Sequence, residues 1–284
     1  MTGWTRQRVL QAAAAWVWVP VGADQVRTED YQLIRYPDRL ADPGWPPAQV
    51  AWSRTSRAPG EVIDEVARQV RAWGLGEVHW WVSEATVPAG TERVLRARSA
   101  AVTETLQVLA YDLGRGRPAL DVPADVRVEL VHDERTVRAA ALVTTQGWQR
   151  PAPDEAEIAR QLEEVTGDPV TGNLADQSSF RMVVFLGGRP VAAGGVTLAG
   201  PVAQLWGAVT LPAWRGRGAY RGLLAARLRL AADRGATLAL VKGRVETSAP
   251  ILRRAGFTAF GEERLYRLPV GWAPSSSASS ASPE

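Results

Sequence analysis

The sequence predicts a protein of the α/β (α+β) class, built from two halves that each hold a sheet flanked by helices. In the second half an apolar strand at 202–211, a helical pattern at 220–235 and a second apolar strand at 237–241 follow one another. The first half repeats this order of patterns. Strand and helix periods that alternate in this way are typical of domains in which helices cover a sheet.

Composition limits the chemistry that the chain can perform. Its 284 residues, 46% of them apolar, are enough for two hydrophobic cores. The chain has no Cys and only two His, which excludes disulfides, a cysteine nucleophile and thiolate metal sites, so we expect no metal. Lys and Arg exceed Asp and Glu by three, and such a small excess does not indicate a nucleic-acid partner.

The two ends of the chain differ from the rest. Arg6 and Arg8 precede an apolar run at 9–19 that is similar to a secretory signal, but Gln11 and the paired tryptophans weaken that interpretation. An amphipathic helix that runs into a strand explains the same residues, so we expect a cytoplasmic protein. The run is too short to span a bilayer, and no membrane partner is expected. Residues 275–284 are nearly all Ser, Ala and Pro, which predicts a disordered tail.

The first half carries its own strands and helices. Alternating residues at 31–36 and 49–53 predict two strands, joined by a Pro- and Gly-rich loop at 43–47. An apolar stripe predicts a helix at 60–73. The Gly- and Arg-rich segment 114–118 is the predicted linker. A strand, a short helix and a closing strand are predicted at 77–82, 91–98 and 105–113.

The second half begins before the strands named above. Helices are predicted at 134–145 and 154–165, so that residues 146–153 form a connection that carries Trp148. Gly187-Gly188 is the predicted turn of a hairpin. The strands of this half that precede the helix at 220–235 are predicted at 126–131, 180–186, 190–198 and 202–211.

The turn after the strand at 202–211 has the composition of an anion site. Gly216 and Gly218 let a ligand approach the backbone, and Arg215, Arg217 and Arg221 place positive charge around the same point. The next helix is predicted to begin near Gly218. Its free N–H groups and its dipole would favour a phosphate.

Two other phosphate-binding patterns fit less well. A P-loop needs a lysine after its glycines, and the only Lys of the chain is Lys242. A dinucleotide fingerprint needs a third glycine where Arg221 stands, since Gly222 comes one residue late. The strand at 237–243 also does not end in the acid that binds a ribose in that fold.

This segment resembles the acyl-CoA-binding core of the GCN5-related N-acetyltransferase (GNAT) family. In that family a strand ends near a proline, and the phosphate loop begins with Gln or Arg, has Gly in the fourth position and Gly or Ala in the sixth. Pro212, Arg215 and Gly218 match this pattern, whereas Tyr220 takes the sixth position and places a bulky ring at the start of the helix. The short helix pattern at 248–254 and the closing Gly256-Phe257 also resemble the family. The similarity covers residues 125–270, about half of the chain.

The resemblance implies a tandem GNAT fold with a mixed, mostly antiparallel central sheet in each half. It implies that residues 1–117 form a degenerate GNAT-like domain and residues 118–274 the domain that binds acetyl-CoA, the expected co-substrate. In the first half, the helix that follows the missing phosphate loop carries Glu61, Asp64 and Glu65, which would satisfy the helix end themselves and repel a phosphate. The residues expected to bind the co-substrate are Ala208, Val209, Thr210, Arg215, Gly216, Arg217, Gly218, Ala219, Tyr220 and Arg221.

The resemblance also implies where the acceptor binds and what stabilises the oxyanion. In the family the connection between the first two helices lies over the acceptor, which indicates Trp148, although a role as a cap on the core explains it equally well. Gln204 and Trp206 stand on the strand where relatives carry a catalytic Glu, and they complete the predicted acceptor site. The oxyanion donor would be a backbone N–H of residues 208–210.

The general base and the general acid are less well defined. Glu246 is the nearest candidate base by sequence, but an ordinary solvated acid or an ordered water would explain the pattern as well. Leu252 occupies the position of the tyrosine that protonates the thiolate in relatives. Ser248 is the preferred substitute, followed by Tyr220 and Tyr266, each of which also has an ordinary structural explanation.

The sequence therefore predicts an N-acetyltransferase that transfers an acetyl group from acetyl-CoA to a primary amine, by direct attack in a ternary complex. The amine belongs to a small molecule or a protein, and the protein would be a monomer or a homodimer. A module that binds acyl-CoA without catalysis is the alternative, because Leu252 replaces the expected acid. A nucleic-acid-binding role for the arginines at 215–234 fits poorly, since few aromatic residues accompany them.

Overall fold

The computed structural model describes residues 3–40, 45–166 and 178–271. The predicted tail at 275–284, and residues 43 and 44 of the predicted first loop, lie outside these ranges. In chain order the helices and strands are α1 (Arg6–Ala15), β1 (Asp24–Arg27), β2 (Tyr31–Arg35), β3 (Ala48–Ser53), α2 (Pro59–Ala72), β4 (Glu77–Ser83), α3 (Thr91–Ala97), β5 (Ala101–Asp112), β6 (Arg127–Leu130), α4 (Glu134–Trp148), α5 (Glu155–Thr166), β7 (Ser179–Leu186), β8 (Arg189–Ala199), β9 (Val202–Thr210), α6 (Ala219–Asp233), β10 (Leu238–Arg244), α7 (Ser248–Arg254) and β11 (Thr258–Pro269).

The chain forms two compact units that are discontinuous in sequence. Unit A contains the residues up to Trp16 together with Leu106–Glu262, and unit B contains Val17–Thr105 and the residues from Glu263 onward. The predicted boundary after residue 117 stays a prediction. The units cross it, because β5 from Leu106 pairs with β10 in unit A and β11 from Glu263 pairs with β4 in unit B.

Unit B is a small sheet covered by helix α2. Strands β1 to β3 pair antiparallel in sequence order, and β4 joins β3 in parallel and β11 antiparallel. Helix α2 carries an apolar stripe whose residues Val62, Ile63, Val66 and Val70 are buried. They pack in one core cluster that also contains Trp80 of β4.

Unit A is a larger sheet with helices on both faces. Its strand order is β5-β10-β9-β8-β7-β6, and among the described strand pairs of this unit only β9–β10 is parallel. Alternate residues of β7 point to opposite faces, as strand geometry requires. Met182 and Val184 pack with α6, whereas Val183 and Phe185 pack with α4.

These sheets confirm the predicted fold class, in which a mixed and mostly antiparallel sheet is flanked by helices. Two details differ from the predicted elements. The residues after α1 do not form a strand, and the first strand is β1 at Asp24–Arg27. Helix α4 continues to Trp148, so the connection between α4 and α5 is shorter than the predicted segment 146–153.

The extension of α4 has a packing reason. Gly147 lies so close to β9 that a Cβ on it would be 2.3 Å from Val209 Cγ2. The glycine that indicates a turn in the sequence therefore allows a close contact between helix and strand instead. The helix ends at Gln149, which adopts a left-handed conformation with φ 55° and donates its N–H to Thr145 O.

Candidate functional site

The parallel strands β9 and β10 of unit A separate along their length. Their paired positions are Val202 with Leu238, Ala203 with Ala239, and Gln204 with Leu240. Beyond these pairs β9 continues to Thr210 and β10 to Arg244 without facing each other. One edge of β9 is consequently not paired with β10 from residue 205 onward.

A β-bulge lies in this part of β9. The β8–β9 register shifts between the pairs Ala193–Val209 and Gly195–Trp206, so Gly207 and Ala208 together oppose Gly194. Gly207 has a φ of 60°, which a side chain rarely permits. Ala208 is exposed although its neighbour Val209 is buried.

The hydrogen bonds of β9 distinguish between the three candidate oxyanion donors, because they show to which edge each N–H group points. Leu211 donates its N–H to Val191 O of β8 at 2.9 Å. Since successive N–H groups of a strand point to opposite edges, the Thr210 N–H points toward the side from which β10 has diverged, and the Val209 N–H points to β8. Ala208 belongs to the bulge itself.

The loop after β9 turns the chain into α6. A 3₁₀ turn spans Pro212–Trp214, and Arg215 donates from Nε to Thr210 O at 3.3 Å. Gly216 and Gly218 have φ values of 78° and 83°. Both glycines are therefore in the left-handed region that favours this residue type.

The backbone N–H groups of this loop have no protein acceptor within the described residues. The first hydrogen bond of α6 runs from Gly222 N–H to Gly218 O, and none of the described hydrogen bonds involves the N–H groups of residues 216–221 as donors. No side chain caps the helix, and its first turn carries no acid. Six N–H groups and the positive end of the helix dipole thus remain available.

The two loop glycines have different surroundings. A Cβ on Gly216 would meet no atom within 4 Å, so this residue faces open space. A Cβ on Gly218 would lie 2.4 Å from Pro123 Cδ. The expectation that both glycines keep a ligand space clear is consistent with Gly216 but not with Gly218, which permits contact with the protein itself.

The loop arginines are held in different ways. Arg217 lies over the Trp214 ring with its Cζ 5.0 Å from the centroid. Arg221 lies 3.8 Å from Asp121, a carboxylate whose side chain is almost fully exposed. These contacts are weak at a surface, and they leave the positive charges near the loop.

Tyr220 points into the core of unit A. Its ring packs against the cluster that contains Leu224 and Leu205. Burial raises the pKa of the Tyr220 hydroxyl, while the neighbouring Arg227 guanidinium acts in the opposite direction. A proton on this hydroxyl is therefore firmly held at neutral pH.

The candidate base and the preferred acid lie at the end of β10. Glu246 is exposed in the turn before α7. Ser248 is the first residue of α7, and its Oγ accepts the Arg244 N–H at 2.8 Å. Leu252 is fully buried in the core, and so is Tyr266, whose hydroxyl bonds Glu92 within unit B. Tyr266 consequently has a structural partner.

The acceptor candidates lie near the bulge on β9. Trp148 at the end of α4 is 39% exposed, and its Cη2 would be 3.7 Å from a Cβ on Gly207. Trp206 covers Gly195 so closely that a Cβ on this glycine would be 2.2 Å from the Trp206 ring. Its Nε1 donates a hydrogen bond to Thr197 Oγ1 at 2.9 Å. Gln204 lies opposite the same threonine.

Arg227 is buried although it is a charged residue. Its charge suggests a solvent-facing position on α6, yet it is only 1% exposed. Residues 220, 224, 227 and 231 recur at helical spacing, and this spacing could have placed Arg227 on the buried face.

Ion pairs surround the start of α2 in unit B. Arg57 contacts Asp30 at 3.1 Å and Glu65 at 2.9 Å. Asp64 pairs with Arg98 instead of capping the helix. Glu61 also pairs with Arg57, at 3.7 Å, and no side chain caps α2, so the expectation that these three acids satisfy the helix end is wrong.

The described residues show neither a metal centre nor a membrane-spanning helix. No group of three or more His, Asp or Glu is arranged to hold a metal ion there. In the same residues, no helix has the length and apolar character needed to cross a membrane.

Comparisons with known proteins relate unit A to one family. Residues 140–257 match the model of the Acetyltransferase (GNAT) family. No curated protein sequence is significantly similar to the chain.

Solved structures share the fold of the whole chain at low sequence identity. A GCN5-related N-acetyltransferase from Kribbella flavida is 19% identical with a TM-score of 0.62, and the match covers 95% of this chain and 98% of that protein. A tandem GNAT protein from the clavulanic acid biosynthesis pathway is 17% identical with a TM-score of 0.61, covering 94% and 89%. N-myristoyltransferase from Saccharomyces cerevisiae with bound myristoyl-CoA is 11% identical with a TM-score of 0.50, covering 78% and 59%.

Proposed function

We propose, from the GNAT domain that residues 140–257 form, that the protein is an acyl-CoA-dependent N-acetyltransferase. The donor would be acetyl-CoA and the acceptor a primary amine of a small molecule or a protein. The observation that carries the proposal is the set of N–H groups at residues 216–221, which have no acceptor within the described chain. They follow the end of β9, whose last part, from residue 205, is not paired with β10.

The loop would bind the diphosphate of the donor. Backbone N–H groups at a helix N-terminus are the groups that phosphates prefer, and the absence of an acid in the first turn of α6 avoids repulsion. Arg215, Arg217 and Arg221 would add charge around the diphosphate. Ala219 and Tyr220 would contribute N–H groups from the first turn.

The thioester would then lie beside the bulge on β9. The amine attacks the carbonyl carbon in a ternary complex, and a negative charge develops on the carbonyl oxygen. The N–H of Thr210 is directed to the unpaired side and would donate to this oxygen, with Ala208 and Val209 as the neighbouring donor candidates. Collapse of the intermediate breaks the C–S bond and releases the CoA thiolate.

The acceptor would approach past Trp148, Gln204 and Trp206. Trp148 offers an exposed aromatic face near Gly207, and the Arg150 guanidinium lies 5.0 Å from its ring centroid. We assign these side chains to acceptor positioning.

Proton transfer would use groups near the end of β10. Glu246 is exposed and would accept the amine proton directly or through water. Ser248 uses its oxygen to accept a backbone N–H, which leaves its hydroxyl hydrogen for the thiolate. Tyr220 is the second candidate acid, and it would be the weaker one because burial raises the pKa of its hydroxyl.

One observation favours a second candidate function, the binding of acyl-CoA without catalysis. The position at which relatives carry the tyrosine acid holds Leu252, which is fully buried. A chain without an effective acid would still bind the donor through the loop.

Further assignments complete the proposal. We assign residues 1–117 and 118–274 to two GNAT-like domains, of which only the second binds the donor. We place the protein in the cytoplasm, as a monomer or a homodimer.

Thiol release separates the two functions. The protein is incubated with acetyl-CoA and a panel containing an aminoglycoside, a polyamine, an amino acid and a peptide with a free N-terminus. Amine-dependent release of free thiol supports the transferase. Calorimetric binding of CoA without release supports the binding module, and absence of CoA binding contradicts both.

A further inference from the structure

Arg227 is a buried cation without a carboxylate partner among the described residues. The side chain is 1% exposed, its Nη1 donates to Gly195 O over a long distance of 3.4 Å, and the guanidinium also hydrogen-bonds the Tyr220 side chain. The buried Nε has no acceptor. The guanidinium Cζ lies 6.0 Å from the Tyr220 ring centroid.

Such an arginine is costly in a folded protein. Loss of hydration disfavours its charge, and burial lowers the pKa of Arg227 for this reason. Buried charges are normally paired or bound to a ligand. The Gly195 carbonyl and the Tyr220 side chain compensate part of the lost hydration, and the buried Nε, which has no acceptor, leaves capacity for an anion.

The position of the guanidinium relates it to β9. Side chains of a helix are directed toward its N-terminus, so Arg227 extends toward Tyr220 and the phosphate loop. Its acceptor Gly195 is paired with Trp206, one residue before the bulge. The adjacent Gly194 is so close to Ala208 that a Cβ on it would be 3.1 Å from Ala208 Cα. Arg227 is therefore level with the part of β9 proposed to hold the thioester.

Arg227 and Trp148 lie on opposite faces of the sheet, and this indicates which of the two substrates would contact Arg227. Arg227 belongs to α6, which follows the phosphate loop and packs on the face of Met182 and Val184. Trp148 belongs to α4, which packs on the opposite face with Val183 and Phe185. The arginine is thus on the donor side of the sheet, and the acyl group of the donor is the part that would extend toward it.

We propose that Arg227 selects an acyl-CoA whose acyl group ends in a carboxylate, in preference to acetyl-CoA. This inference rests on the proposed transferase function and replaces acetyl-CoA, as the preferred donor, by an acyl-CoA of the dicarboxylic class. The terminal carboxylate would accept hydrogen bonds from the guanidinium and remain unchanged in the reaction. The amine nitrogen forms a C–N bond with the thioester carbonyl carbon, the C–S bond breaks, and the proton lost by the amine goes to the CoA thiolate.

The test compares donors that differ only in charge, and it needs no acceptor. Binding of succinyl-CoA to the full chain is measured by calorimetry against 4-methylpentanoyl-CoA, which has the same branched shape without a charge, and against CoA alone. A charge-assisted hydrogen bond to a buried group corresponds to a preference of about 10- to 100-fold for succinyl-CoA. Arg227→Met should remove this preference, whereas Arg229→Met, at an exposed position of the same helix, should retain it.

The outcomes distinguish the two proposals. If CoA binds but succinyl-CoA shows no advantage over its neutral analogue, or if the advantage persists in Arg227→Met, the selection by Arg227 is wrong and the transferase stands. If CoA itself does not bind, both fall. If Arg227→Met does not fold, the absence of a preference for succinyl-CoA in the wild-type protein still overturns the proposal.

Discussion

Gly218 lies directly against Pro123, at a distance that would place a Cβ on the glycine 2.4 Å from Pro123 Cδ. The contact anchors the start of α6 to the segment before β6. Because of this contact and its φ of 83°, Gly218 contributes to the stability of the fold as well as to the conformation of the loop.

We expect Gly218→Ala to lower the free energy of unfolding by about 1–3 kcal/mol, from the left-handed φ and the collision with Pro123. Denaturant unfolding measures the loss. In a double-mutant cycle, Pro123→Ala should recover the part due to the collision but not the part due to φ. Additive effects of the two substitutions would contradict the contact.

Gly216→Ala should behave differently, because a Cβ on Gly216 meets no protein atom. The left-handed φ costs about 1 kcal/mol. The added methyl group would also occupy space over the free N–H groups, so CoA affinity should fall about 10-fold in calorimetry. If CoA affinity is unchanged while the protein remains folded, the loop is not where the diphosphate binds.

Helix and strand patterns predicted the elements around this loop well, because the information is local. The apolar run of β9, the break at Pro212 and the stripe of α6 lie within about 30 residues. The similarity of the loop to one family depended on the same short segment. These features need no knowledge of distant contacts.

Distant contacts explain what the patterns did not predict. The bulge at Gly207 depends on the register between β8 and β9, and Gly147 continues a helix because Val209 faces it. Strand β5 pairs with β10, although a Gly-rich segment after residue 113 marks a natural linker. Arg227 is buried and donates to Gly195 O of β8, a contact across the fold that its own charge does not reveal.

Trp148→Ala tests the acceptor side. The exposed ring lies near Gly207, so its loss should raise the KM for the amine about 5- to 30-fold while the Kd for CoA stays within about twofold. Leu142→Ala, at an exposed position of the same helix, is the matched control. If the two substitutions have equal effects, Trp148 only covers the core and does not position the acceptor.

Glu92 should make the stability of the protein depend on pH. Burial alone would raise the pKa of Glu92, but hydrogen bonds from Tyr266, Arg96 and Arg264 outweigh it and hold the pKa below its ordinary value of 4.5. A lowered carboxyl pKa stabilises the fold above the unfolded pKa, and this contribution disappears as the pH falls through the folded value.

Urea unfolding between pH 7 and pH 3 measures this contribution. We expect the wild type to lose stability below about pH 4.5 and Glu92→Gln to show a flatter dependence. Tyr266→Phe should cost about 1–2 kcal/mol at pH 7 through the lost hydrogen bond. Parallel pH profiles for the wild type and Glu92→Gln would show that the carboxylate contributes nothing.

Each chain should bind one molecule of CoA. In unit A the helix after the loop has free N–H groups and no acid in its first turn. In unit B the corresponding helix begins with Pro59, which lacks an N–H, and the adjacent Arg57 is held by Asp30 and Glu65. Because the cation there is already paired, a diphosphate would have to compete with two carboxylates. Calorimetry should give a stoichiometry near one for CoA. Arg57→Ala should leave the affinity for CoA unchanged, whereas Arg215→Ala should weaken it about 10-fold. Two equivalents of CoA bound per chain would show that the first half retains a working site.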